Sequence, residues 1–122
     1  MSDAISARVL HWREAWHSSD AARIAALYAV DGTHDSAKVA AAMPALNGRT
    51  ALSGRDEVLV YAQTAFARVG WLRFEFLTVV ESESLSAMEY LRTSGIDATP
   101  HRVVEILEWA GDLLKAVRVY HP

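Results

Sequence analysis

The sequence predicts an α+β domain in which helices come first and a mostly antiparallel sheet follows. Two observations carry this reading. Apolar residues recur at helical spacing as far as Val69, and from Trp71 onward the period shortens toward two. The later apolar runs then succeed one another across short turns, with no helix between them. That arrangement excludes alternating βαβ units. At 122 residues the chain fits one domain, spanning 1–122.

Ile5, Val9, Trp12 and Trp16 make one helical stripe, predicting a helix from about Asp3 to His17. Arg13, Glu14 and His17 lie off the stripe. Ser18-Ser19-Asp20 interrupts it, and the Asp20 carboxylate can accept the free amides of a following turn. A second helix is expected from Ala21 to Ala29, burying Ile24, Leu27 and Tyr28. Asp31-Gly32 marks a turn. An extended piece is expected near Thr33 to Ser36, then a helical turn through the alanines, ended by Pro44. Asn47-Gly48 is a tight-turn pair. Gly54 precedes a third helix, Arg55 to Val69, with Val58, Tyr61, Ala62, Ala65 and Phe66 on one face. Four strands follow: Leu72 to Glu81, Ser84 to Thr93, His101 to Trp109 and Leu113 to His121. The last two form a hairpin across Ala110-Gly111-Asp112.

Composition narrows the function. Apolar residues are 52% of the chain, with four Trp, four Tyr and three Phe, enough for a core without disulfide or metal staples. The net charge is -3 and no basic stripe tracks a phosphate backbone, so no nucleic-acid partner is expected. There is no Cys, which removes a thiol nucleophile and a Cys-ligated zinc. His11 and His17 do not share a helical face, and HxH and HxxxH are absent, so no metal is expected. The GxSxG, P-loop and GxGxxG patterns are absent as well, and no cofactor is expected. Met1 to Leu10 lacks a long apolar core, and no run approaches the roughly 18 apolar residues that span a bilayer. The expectation is a soluble, cytoplasmic protein that does not enter a membrane.

Several segments resemble a known family. Trp12-Arg13-Glu14-Ala15-Trp16 leads to Asp20. Ile24-Ala25-Ala26-Leu27-Tyr28-Ala29-Val30-Asp31 and Gly54-Arg55-Asp56-Glu57-Val58 come next. Val103-Val104-Glu105-Ile106-Leu107-Glu108-Trp109, a turn, and Val117-Arg118-Val119-Tyr120 close the chain. In this order they are similar to the SnoaL-like branch of the nuclear transport factor 2-like superfamily. The resemblance implies three N-terminal helices packed on a curved sheet, enclosing a cone-shaped pocket. It also implies a homodimer formed through the sheets, for which the stretch Phe74 to Val80 is a candidate face. Members include isomerases, cyclases, dehydratases, hydrolases and non-catalytic binding modules, so the fold leaves the function open.

Measured against the family's steroid isomerases, the oxyanion-holding tyrosine falls at Trp12. The base falls at Asp35 or Ser36, and the second acid at Glu105. Asp35 is the candidate base, or else a loop carboxylate in water. His34 beside it is a candidate proton shuttle, or merely exposed. Glu105 shares a face with Val103, Leu107 and Trp109, and a partner is expected for it in Arg118 on the next strand. The alternative is that both lie on the solvent face as a surface ion pair. Trp12, Trp16, Tyr28, Tyr61, Trp109 and Tyr120 are candidate pocket walls for a small hydrophobic or aromatic molecule, or plain core. Two functions stand side by side. One is cofactor-independent proton transfer on that molecule. The other is a non-catalytic binding or scaffold module.

Overall fold

The structure, a computed structural model, describes residues 4–122. Helix α1 runs Ala7–His17. Ser6 caps it by accepting from the Val9 amide, and Val9, Trp12, Ala15 and Trp16 are buried along one side. Asp3, where the helix was expected to start, lies outside the described residues. Helix α2 is short, Ala21–Ala25, and the Asp20 side chain accepts from the Ala22 and Arg23 amides.

The expected extension of α2 to Ala29 is corrected. The chain turns into strand β1, Tyr28–Ser36. A neighbouring strand captures it: the Leu114 amide donates to the Leu27 carbonyl at 2.7 Å, and Tyr28 is paired with Leu114. Arg55 adds two hydrogen bonds to the Tyr28 carbonyl. Backbone groups satisfied this way cannot continue a helix. Between Tyr28 and Thr33 the register slips, and Gly32 sits there because a Cβ would stand 2.7 Å from the Leu114 carbonyl oxygen.

Helix α3, Ala37–Ala42, follows, capped by Ser36, so the alanine segment is a helix and the described residues hold four α-helices rather than three. After a single 3-10 turn at Pro44–Leu46 comes strand β2, Ala51–Ser53. Helix α4 is Arg55–Val69. Glu57 in its first turn accepts from the Ser53 amide and from Arg49, which fixes how the helix enters. The remaining strands are β3 Leu72–Glu81, β4 Leu85–Ser94, β5 Asp97–Ala110 and β6 Leu113–Tyr120.

The strands form one curved, mixed sheet in the order β2-β1-β6-β5-β4-β3. Only β1 and β6 are parallel neighbours. This topology makes β5 and β6 central, and the inward residues of β5, Val103, Glu105, Leu107 and Trp109, are all buried. The helices cover this inner face, with Trp12 of α1 stacked 5.3 Å from Phe74 of β3. The outer face carries Val80, Val104 and Tyr120, exposed at 62%, 39% and 55%. No helix among the described residues is long and apolar enough to cross a membrane.

Candidate functional site

A cavity of about 80 Å³ lies between α4 and the inner face of the sheet. Its deep end is made by strand alternation. On β1, His34 and Ser36 are buried and Asp35 between them is exposed. On β4 and β5, Tyr90 and Glu105 face inward, their strands paired through Met88–Glu105 and Tyr90–Val103. Tyr61 enters from α4 and Trp16 from α1.

Glu105 is the central group. It is 3% exposed and the only buried carboxylate among the described residues. Tyr90 donates a hydrogen bond to its Oε1 at 2.7 Å, and its second oxygen has no hydrogen-bond partner among the described residues. Burial pushes the Glu105 carboxyl up to about 8, against the hydrogen bond from Tyr90, which pulls the other way. At neutral pH the group is therefore mainly a neutral acid. Burial also raises the Tyr90 hydroxyl well above its usual range, with the charge of ionised Glu105 adding to it.

His34 is the second buried polar group facing the cavity. Burial lowers its imidazole to about 4, with the charge of His121 assisting, so it is neutral at pH 7. Its Nδ1 lies 2.8 Å from the Tyr28 hydroxyl. Tyr28 is fully buried and has no other acceptor among the described residues. Satisfying its proton assigns Nδ1 as acceptor and Nε2 as the protonated nitrogen. His34 then offers the cavity a donor. Ser36 Oγ lies 3.2 Å from His121 Nε2, beyond the end of β6. The deep end thus gathers hydrogen-bond donors in apolar surroundings, an arrangement suited to an acceptor oxygen such as a carbonyl.

The expected Glu105–Arg118 pair is corrected. The register sets Glu105 opposite Val119, so Val119 faces the cavity while Arg118 points outward beside Ile106. Arg118 is paired instead with Glu108, the outward residue two positions on from Ile106. Asp35 is likewise corrected as the pocket base: it points outward, and Ser36 takes the inward place. Tyr120 belongs to the outer face. Trp109 is buried elsewhere, donating from Nε1 to Ser86 Oγ at 2.9 Å beneath the Arg8 guanidinium. Trp12 is wholly core, and its indole nitrogen is buried with no hydrogen-bond partner among the described residues. Tyr28 acts on the cavity only through His34. His34, Glu105, Trp16 and Tyr61 do line it.

The sequence reading missed Tyr90 and the cationic rim. Tyr90 was findable, because Ser86, Met88 and Tyr90 alternate inward on β4. The rim consists of Lys38, Arg68 and Arg92, from three different elements. Beyond it an outer cleft of about 290 Å³ continues over Ser94, Asp97 and His101. Among the described residues no cluster of His, Asp and Glu could hold a metal ion.

The sequence profile of the SnoaL-like domain matches residues 9–118. No curated protein matches the chain. Among solved structures, a Catenulispora acidiphila protein with a ketosteroid isomerase-like fold, in complex with trimethylamine, superposes with a TM-score of 0.75. It is 16% identical, over 97% of this chain and 87% of that one. A SnoaL-like protein of unknown function from Burkholderia thailandensis gives 0.74 at 19% identity, over 93% and 89%. An NTF2-like protein of unknown function from Burkholderia pseudomallei gives 0.76 at 15%, over 94% and 88%.

Proposed function

Because the chain belongs to the SnoaL-like domain family, we propose that it binds a small apolar molecule in the cavity beneath α4 and exchanges a proton with it at Glu105, without a cofactor. One observation carries the reading. A carboxyl group sits inside an apolar cavity with one oxygen held by Tyr90 and the other left free to meet a ligand. Such a group is costly to bury and is retained where its proton is used. Protonated at neutral pH, Glu105 gives its proton to an oxygen of the ligand while the Nε2 proton of His34 steadies the same oxygen. Solvent water takes the proton from the neighbouring carbon, and the Glu105 carboxylate regains a proton from solvent. Charge that develops there is met by fixed donors instead of water. Trp16 and Tyr61 form the wall that holds the apolar body. The reaction class is proton transfer of isomerase, cyclase, dehydratase or hydrolase type, in a pocket we read as conical.

The test uses exchange of α-protons in D2O from small ketones, butanone and 3-methylbutanone. The native protein accelerates exchange, and Glu105→Gln lowers the acceleration by a factor on the order of 10²–10⁴. Acceleration unchanged in Glu105→Gln removes Glu105 from the chemistry.

A second reading, a non-catalytic binding or scaffold module, has its own observation. The positions where the resemblance implied an oxyanion donor and a base hold a core indole, Trp12, and either an outward carboxylate, Asp35, or an inward hydroxyl that is no base, Ser36. Ligand binding with no accelerated exchange for any ketone favours this reading. Under either one we propose a homodimer through the outer sheet face, where Val104 and Tyr120 are register partners and both are exposed.

A further inference from the structure

The rim of the cavity narrows the ligand class. Lys38 from α3, Arg68 from α4 and Arg92 from β4 meet where the inner cavity opens into the outer cleft, and both hollows are lined by all three. None of them forms an ion pair among the described residues, although the chain as a whole carries a charge of -3. Their charges reach inward: Arg92 and Arg68 both lower the Tyr61 hydroxyl against its burial. Acids that could neutralise them are few. Asp97, in the outer cleft, is held by His101 at 2.7 Å. Glu105, at the deep end, is mainly uncharged at neutral pH.

Size points the same way. An inner cavity of about 80 Å³ admits a compact apolar group and little more. An apolar cavity known to hold benzene is larger, at about 150 Å³. A ligand with its apolar end inside therefore has its other end at the junction, among the cations.

We propose that the ligand is a small amphipathic anion, a carboxylate whose largely apolar end, with the oxygen that meets Glu105, enters the cavity while its charged end is held by Lys38, Arg68 and Arg92. The inference rests on the reading of the cavity as the binding site and adds the charge of the ligand to it. Guanidinium groups suit a carboxylate because they bind it through two parallel hydrogen bonds. A mouth of one sign, edged by apolar walls, also raises the local concentration of an oppositely charged ligand.

The experiment titrates the full chain, followed by NMR, with isobutyrate, 3-methylbutanoate and 4-methylpentanoate, each beside its neutral amide. The expected result is that at least one acid binds tenfold or more tightly than its amide. The preference falls with added salt and disappears in Arg68→Gln/Arg92→Gln, in which the acid binds no more tightly than its amide. Equal binding of acid and amide overturns the anion assignment and leaves the apolar cavity standing. Binding of neither member of any pair at millimolar concentration overturns the cavity reading, and this inference with it. A circular dichroism spectrum of the double variant matching the native one excludes misfolding as the cause of a lost preference.

Discussion

At the scale of single residues, the site depends on which way each side chain of a strand faces. Glu105 could be found in the sequence because an isolated charge among Val103, Leu107 and Trp109 is conspicuous. Its partner could not. Arg118 is close in sequence pattern to the correct answer, but one position decides the face, and Val119 holds the inward place. Asp35 and Ser36 differ by the same single step. The donor that does reach Glu105 is Tyr90, two strands away from the expected one. Because Tyr90 favours the ionised carboxylate, Tyr90→Phe should raise the Glu105 titration midpoint further, read from its side-chain carbon-13 shift. A fall in the midpoint would show that Tyr90 instead stabilises the protonated form. The rim cations were illegible for another reason. Lys38, Arg68 and Arg92 are ordinary surface residues by type, and only the packing of α3, α4 and β4 gathers them.

At the scale of elements, long periodic segments were legible and short ones were not. Helix α4 and strands β3, β4 and β6 lie close to where periodicity put them. The sequence placed β5 from His101, but its pairing with β4 reaches back to Asp97, opposite Ser94. Helix α2 was overextended because Leu27 and Tyr28 fit a helical stripe, while the tertiary partner Leu114 takes the backbone. Strand β2 has too few residues to show a period. Two substitutions test how the elements are held. Asp20→Ala removes the cap of α2 and should cost about 1 kcal/mol in urea unfolding. Gly95→Ala places a Cβ 2.3 Å from the Val69 carbonyl oxygen at the junction of α4 and the sheet. It should cost roughly 1–3 kcal/mol, and an unchanged unfolding midpoint would show that this approach is loose.

At the scale of the whole molecule, the buried titratable groups shape the dependence of stability on pH. His34 and His121 are both lowered from 6.5 to about 4, so acidification through that interval makes the unfolded chain bind protons the native state refuses. Glu105 is raised from 4.5 to about 8, so its contribution is full below the lower value and is lost as pH rises through the upper one. From pH 4.5 to 6.5 the two histidines outweigh the one acid, and stability rises. Above 6.5 only Glu105 acts, and stability falls toward pH 8. Urea midpoints should therefore peak near pH 6.5, and Glu105→Gln should flatten the alkaline limb. Self-association belongs to this scale too. Sedimentation of Tyr120→Lys should shift a dimer toward monomer, and a native chain that stays monomeric at every concentration would contradict the outer-face dimer. The most direct measurement of all is the carbon-13 titration of the Glu105 carboxyl in the native protein, assigned by its absence in Glu105→Gln. Burial of the carboxyl predicts a midpoint raised to about 8. A midpoint at the ordinary value of 4.5 would mean a carboxylate that is ionised and wet at neutral pH, and the neutral acid on which the chemistry depends would not exist.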